Sequence, residues 1–561
     1  MTQPEQNVAV LLDRQAAARP WAMAQRVPLR QGDRLLWQTQ TWDQLRRRTD
    51  ALAHGLRRVG VAKGDRVSVF VRPGMDFPAA IFALFKLGAS PVFIDPGMGR
   101  AAALGCLSRT APRGLLAVAP LHAASAVFRA AFQSVQVRVT VGAHTGWWGG
   151  HTLDAVAALG ASDGPFAPEA LDPDAEAAVL FTSGSTGPAK GARYTHRIYA
   201  SQTAFIQQMY GIEPGEVDVP GLSVFGLFSI GMGMTVAWPE IDPTRVSALN
   251  PAHLVQLIEE AGATSAFGGI AIWRPVLRWC QANGRTLPSL RRVLSAGTAI
   301  PVWMHEGFRA VLAPGVQVHT PYGATESLPV ASTGTDEVLG ETAAQTRPGR
   351  GTCVGRPAPG IAIRVIAVSD APIATWDQVQ ILPVGEVGEV AVSGPVVTAA
   401  YVDNEDATLQ AKILDHSTTP PRIWHRLGDL GYLDAQGRLW FCGRKAHRVE
   451  TAGGRVCSAP VEEVAVLVPG VARAALVGLG ERGHQEPALV VERGPDAGPD
   501  LAQRLRSTLS ACTFAAPIQR ILYHPKLPVD VRHNAKIHNE SLAVWAAAEV
   551  ARAPTLGLEG T

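Results

Sequence analysis

The chain has 561 residues, 47% hydrophobic and 18% charged, with 51 basic against 48 acidic side chains. That composition excludes a disordered chain, and a net charge of +3 is too small to mark a nucleic-acid-binding face. The length exceeds one ordinary core and implies roughly two to four domains.

In chain order, the N-terminal residues carry Glu5, Asp13 and Arg14 and lack the apolar core of a signal peptide. DRVSVFV (65–71) reads as a strand following a turn at Gly64. Residues 79–96 read as a helix stopped by Gly88, then a buried strand ending at Pro96. The stretch 219–238 has no charge over 20 residues, the length of a membrane span. Its Pro220 and its glycines at 221, 226, 231 and 233 favour a buried strand, loop and helix instead. The same apolar wall, with Val224, Phe225, Phe228 and Gly231, would suit an alkyl-chain pocket or equally a plain core. LRRVLSAGTAIP (290–301) reads as a strand entering a small-residue turn, and GEVGEVAVSG (385–394) as a hairpin-like β segment. Two β runs flank a turn at Asp434–Gly437. The chain changes character at Cys442–Lys445, which sets the expected boundary between a large domain (1–442) and a small one (443–561). AALVGL (474–479) is a strand of that second piece, and the last dozen residues read as a loose tail. Strands alternating with helical patterns make the class α/β, with mostly parallel sheets.

The six cysteines, Cys106, Cys280, Cys353, Cys442, Cys457 and Cys512, form no CxxC pair. Neither a zinc ribbon nor a redox motif is expected, and the thiols read as reduced, in a cytoplasmic protein.

Four short motifs carry chemistry. In TSGSTGPAKG, Gly184, Gly187 and Gly191 free the backbone. Its N–H groups and the hydroxyls of Thr182, Ser183, Ser185 and Thr186 can ring an anion, and Lys190 adds a positive charge. The Walker pattern GxxxxGK[ST] is absent. In HTPYGATESLPV (319–330), Tyr322 beside Gly323 offers a face to a base. Thr325 and Glu326 set a hydroxyl and a carboxylate at a turn, where Glu326 could bind a Mg2+ shared with substrate phosphates. In HRLGDLGYL, Asp429 sits where a carboxylate can bind both hydroxyls of a ribose. HNAKI holds a single lysine, Lys536.

Together these motifs resemble the adenylate-forming superfamily of acyl-CoA synthetases, peptide-synthetase adenylation domains and luciferases. The resemblance runs from about residue 20 to 537. It implies a large N-terminal domain of layered sheets and helices with a small mobile α+β C-terminal domain. It further implies that Thr182 to Lys190 hold the β- and γ-phosphates of ATP, that Gly297, Thr298 and Ala299 border the adenine, and that Tyr322 stacks on it. Thr325 would touch the α-phosphate, Glu326 would bind Mg2+ and Asp429 the ribose. Arg444 would stand at the domain junction, and Lys536 would bridge the acyl carboxylate and the α-phosphate.

Several positions depart from the usual pattern. Pro188 is separated from Lys190 by Ala189, Ala446 replaces the hinge Asp or Lys, Pro460 replaces an acid in APVE, and the final motif reads PVDVRHNAK. These departures, with CGRKAHRVE and SLAVWA, resemble one branch, the β-lactone synthetases of bacterial long-chain olefin biosynthesis (OleC type). That branch implies a 2-alkyl-3-hydroxy fatty acid substrate, an acyl-AMP intermediate, and possible association with other enzymes of the pathway. The competing expectations are an acyl-CoA or peptide-synthetase-like ligase that passes the adenylate to a thiol, and a nucleotide-binding protein without catalysis. His196, His319, His425 and His447 lie near motifs, but none is singled out as a base.

Overall fold

The computed structural model describes residues 7–32, 34–182, 189–512, 518–529 and 537–557. Among these residues the strands form sheets of 14, 7, 3 and 2 strands.

The seven-stranded sheet is built by helical crossovers. Strand Arg66–Phe70 leads into helix Asp76–Leu87 and returns as strand Ser90–Phe93, parallel to the first. That helix is buried almost all round, as expected of one held between layers. It stops at Gly88, whose φ of 67° is the left-handed conformation that glycine adopts without strain. The sheet then passes through Glu176–Thr182 to its antiparallel edge, Lys190–Thr195. Thr182 pairs with Lys190 at the end of this strand pair.

In the 14-stranded sheet, parallel strands Thr235–Ala237, Val217–Pro220, Ser265–Phe267, Arg292–Leu294 and Gln317–Ala324 lie side by side. The chain then reverses into the antiparallel strand Ser327–Gly334. The YGATE motif therefore occupies the point where parallel pairing gives way to antiparallel. Beyond it come Thr352–Pro357, Leu439–Arg444, Arg422–Leu433, Gly388–Ser393 and Ala362–Ile366. Segment 385–394 is thus one strand paired on both sides, not a hairpin: Gly385 sits in the preceding turn, its N–H bonded to the Leu433 carbonyl.

The apolar stretch 219–238 folds as the end of strand Val217–Pro220, helix Ser223–Gly231 and strand Thr235–Ala237. It contributes Phe228, Ile230 and Trp238 to the largest core. Among the described residues no helix is long and apolar enough to cross a membrane. From Val449 onward the chain has apolar clusters of its own, around Leu476, Leu489 and Leu505 on one face of the three-stranded sheet and Val477, Val490 and Leu542 on the other. All six cysteine side chains are buried, and none forms a disulfide among the described residues.

Candidate active site

One cavity of about 1860 Å³ runs between the sheets and reaches the C-terminal elements. Lys190, Gly297, Thr298, Ala299, Tyr322, Gly323, Thr325, Glu326, Asp429 and Arg444 all line it, and so do Val224, Phe225 and Phe228. Gly231 does not belong to this wall: it packs against Leu11 and Thr203 on the far side of its helix. The Thr182 side chain, Ser183, Gly184, Ser185, Thr186, Gly187 and Lys536 lie outside the described residues.

The end of the cavity expected to take the nucleotide is organised by one triangle. Asp429, 4% exposed, accepts a hydrogen bond from the Tyr322 hydroxyl at 2.6 Å and pairs with the Arg444 guanidinium at 2.8 Å. Register aligns Asp429 with Arg444 across two antiparallel strands, so the strand pairing itself builds the ion pair. Burial, followed by the Asp429 charge, pushes the Tyr322 hydroxyl well above the usual phenol range and keeps it a donor. The charge of Asp429 in turn raises Arg444. Gly323 is required by the tight return of the chain, because a Cβ there would lie 2.5 Å from the Ser327 carbonyl oxygen. Gly297, at φ +100°, opens the SAGTA turn in a conformation open to glycine.

The phosphate end centres on Glu326, 8% exposed. Its Oε1 accepts a hydrogen bond from the Tyr401 hydroxyl at 2.6 Å. The backbone of Thr325 is pinned by the Tyr194 hydroxyl, which donates to its carbonyl at 2.6 Å. No group of three or more His, Cys, Asp or Glu side chains gathers for a metal among the described residues. A single carboxylate on the cavity wall is a donor that suits Mg2+, which is commonly bound through one or two carboxylates plus substrate phosphates.

At the apolar end Phe225 stacks on Phe267 with ring centres 3.9 Å apart, while Tyr199 stacks on Phe228 at 4.6 Å. Burial lowers His196, His319 and His447 to about 4 and His425 well below its ordinary value, so each is neutral at pH 7. His196 Nδ1 accepts the Val8 N–H, and His425 Nδ1 lies 3.2 Å from the Ala411 carbonyl. Burial pushes the Cys457 thiol up to about 12, which leaves it a packing residue. At the junction Lys445, next to Ala446, pairs with Glu389 at 3.0 Å, and Arg426 holds the same carboxylate at 2.7 Å.

Motif reading passed over Tyr194, Tyr401 and Glu389. Tyr194 lies four residues past Lys190 and Glu389 within the β segment 385–394, but only the folded chain shows what each side chain holds.

A cavity with a Tyr–Asp–Arg triangle at one end, a carboxylate and a lysine at the other, and an apolar branch is the arrangement of an enzyme that activates acids with a nucleotide. The chain belongs to the family of AMP-binding, adenylate-forming enzymes, which matches residues 12–402. It is 45% identical to the olefin β-lactone synthetase of Stenotrophomonas maltophilia over 97% of this chain and 98% of that protein. It is 41% identical to the olefin β-lactone synthetase of Xanthomonas campestris over 96% and 97%. In fold it is similar to the amide bond synthetase McbA of Marinactinospora thermotolerans, with a TM-score of 0.77 and 21% identity over 96% and 99% of the two chains. It is similar also to the o-succinylbenzoate coenzyme A synthetase of Bacillus subtilis solved with ATP and magnesium, with a TM-score of 0.72 and 21% identity over 96% and 99%.

Proposed function

We propose that this enzyme converts a 2-alkyl-3-hydroxy fatty acid and ATP to a β-lactone, AMP and pyrophosphate through an acyl-adenylate. The observation that carries the reading is the near full-length identity to two olefin β-lactone synthetases. The site supports it with a nucleotide end and an apolar end in one cavity.

In the first step a carboxylate oxygen of the acid attacks the α-phosphorus, and the bond to pyrophosphate breaks. Both partners are anionic, so cationic and N–H donors must offset their repulsion and the charge that grows in the transition state. Lys190 at the phosphate end and Lys536 of the terminal motif are the cations assigned to that task, with Thr325 toward the α-phosphate. Mg2+, bound through Glu326 and the phosphates, would supply further charge neutralisation. Tyr322, Asp429 and Arg444 hold the nucleoside, with Gly297, Thr298 and Ala299 alongside. The Ser183–Gly187 loop is assigned to the β- and γ-phosphates. Val224, Phe225 and Phe228 receive alkyl chain.

In the second step the 3-hydroxyl oxygen attacks C1, the C1–O bond to AMP breaks, the hydroxyl proton is lost and a four-membered ring closes. The nucleophile is already tethered, which removes the entropy of a bimolecular encounter. Residues 1–442 and 443–561 act as a large and a small domain in this reading. The small one re-orients between the two steps around Arg444–Ala446. Other enzymes of olefin biosynthesis are the proposed partners, and the cytoplasm the proposed compartment.

The test is purified enzyme with ATP, Mg2+ and a synthetic 2-alkyl-3-hydroxy acid, without coenzyme A. The β-lactone is expected by proton NMR together with AMP. Acyl-AMP that persists until added coenzyme A converts it to a thioester would refute lactone formation.

A further inference from the structure

The Glu326 carboxylate is held by a group that none of the motifs contains. Segment 397–402 is stitched to both halves of the phosphate end. Val402 N–H donates to the Gly191 carbonyl at 2.8 Å, just past Lys190, and Thr398 N–H donates to the Glu326 carbonyl at 2.8 Å. Ala192 and Val397 extend the stitching as bridges to Tyr401 and Ser327. This backbone frame delivers the Tyr401 hydroxyl to Glu326 Oε1 at 2.6 Å. Among the described residues Tyr401 is the only hydrogen-bond donor to that carboxylate.

Two ammonium groups lie within 6 Å of the Tyr401 ring centre: Lys190 Nζ, which lines the cavity, at 5.4 Å, and Lys412 Nζ at 5.9 Å. Lys412 is buried, on a strand where it pairs with His425 of the cavity wall. Its Nζ donates to Thr398 Oγ1 at 3.1 Å, the same residue whose N–H holds the Glu326 backbone. A cation beside a phenol ring is attracted to its π-face. Burial lowers Lys412 to about 7 against the opposing charge of Glu326, so its hydrogen bond to Thr398 Oγ1 braces the frame alongside the attraction of its protonated form to the ring.

We propose that Tyr401, braced by Lys412, is the positioning residue of the metal-binding carboxylate: it fixes one oxygen of Glu326 so that the other faces the phosphates. The proposal rests on the reading of Glu326 as the Mg2+ ligand. The second lysine is not a phosphate contact in this account. It acts through the ring of Tyr401 and through Thr398. Groups that orient a metal ligand in this way generally set metal affinity by a factor of ~10 to 100.

The experiment measures Mn2+ binding by electron paramagnetic resonance, in the presence of α,β-methylene-ATP, for the parent, Tyr401→Phe, Lys412→Met, Lys412→Arg and Glu326→Gln. Phenylalanine keeps the ring and removes only the hydroxyl, so Tyr401→Phe is expected to bind Mn2+ about tenfold more weakly. Lys412→Met is expected to weaken it several-fold and Lys412→Arg to recover most of that loss. In turnover the Mg2+ half-saturation should rise by a similar factor, with a much smaller change in rate at saturating metal. If Tyr401→Phe fails to fold, Lys412→Met and its arginine rescue still decide the matter. Glu326→Gln weakened more than tenfold, with Tyr401→Phe and Lys412→Met within twofold of the parent, would overturn this inference alone. Glu326→Gln within twofold would overturn the metal reading itself, and this inference with it.

Discussion

Replacing Asp429 with alanine removes both polar contacts of the nucleotide triangle: the 2.6 Å bond from Tyr322 and the 2.8 Å pair with Arg444. A hydrogen bond to a charged group contributes about 1.5–3 kcal/mol, and stranding one member of a fully buried pair costs about 3–5 kcal/mol. The Arg444 side chain keeps 36% of its surface open, so water in the cavity can solvate it and the stability cost falls at the low end, about 2–3 kcal/mol. The functional cost is separate. If the carboxylate binds the ribose hydroxyls, losing it removes about 3 kcal/mol of nucleotide binding, roughly 100-fold in the KM for ATP. Acid-dependent exchange between pyrophosphate and ATP measures this, with a thermal melt to separate the two effects. Tyr322→Phe should cost less, because the ring remains. Combined with Asp429→Asn it should show a coupling of about 1–2 kcal/mol, since the two groups share one bond. An ATP KM for Asp429→Ala within threefold of the parent would refute the reasoning.

The half-buried acids Glu462 and Glu463, on the cavity wall, give a pH prediction. Burial raises them to about 7 and about 8, and Glu463 contacts Thr352 across from the 14-stranded sheet. A carboxyl whose folded-state pKa is raised favours the fold while it is protonated, so stability is lost as pH rises from its ordinary value near 4.5 to its folded value near 8. Glu463→Gln should therefore raise the melting temperature at pH 8 and lose that advantage below about pH 5; an equal gain at both pH values would count against burial as the cause. At the junction, Glu389 is 1% exposed and shared by Arg426 and Lys445. Arg426→Ala should destabilise by about 3–5 kcal/mol in chemical denaturation, and Lys445→Ala by clearly less, because the better-buried partner remains. Equal losses would mean that the carboxylate is not held as described.

The parts of the molecule that announced themselves in the chain are those whose constraint is local. Gly88 ends a helix because the next residue must turn left-handed, and Gly323 allows a close return that any Cβ would block. While the run of glycines and hydroxyls before Lys190 lies outside the described residues, the SAGTA and YGATE turns, both on the cavity wall, are legible for the same reason. So is the α/β class, which follows from the alternation of strand-like and helical segments. Local signals misread what depends on neighbours. GEVGEVAVSG has the turn residues of a hairpin, yet it forms one strand because Ala362–Ile366 and Arg422–Leu433 compete for both of its edges. Gly231 shares the composition of the apolar wall but faces away from the cavity, because the rotation of its helix is set by packing on Leu11 and Thr203.

The sequence by itself determined which residue types the chain carries and which roles are expected of them: a loop for phosphate, a carboxylate for a metal, a carboxylate for a ribose and an uncharged wall for alkyl chain. Tertiary structure alone decided how those groups are held. Tyr322 meets Asp429 across 107 residues, and Tyr401 meets Glu326 across 75. Neither tyrosine's hydrogen-bond partner can be inferred from its own neighbours, because the pairing is fixed by strand register and by backbone bonds between distant segments. The ionisable groups obey the same rule. Lys412 and Glu463 look like ordinary surface residues in the chain, and only the packing around them gives each its partner and shifts its titration, Lys412 downward and Glu463 upward.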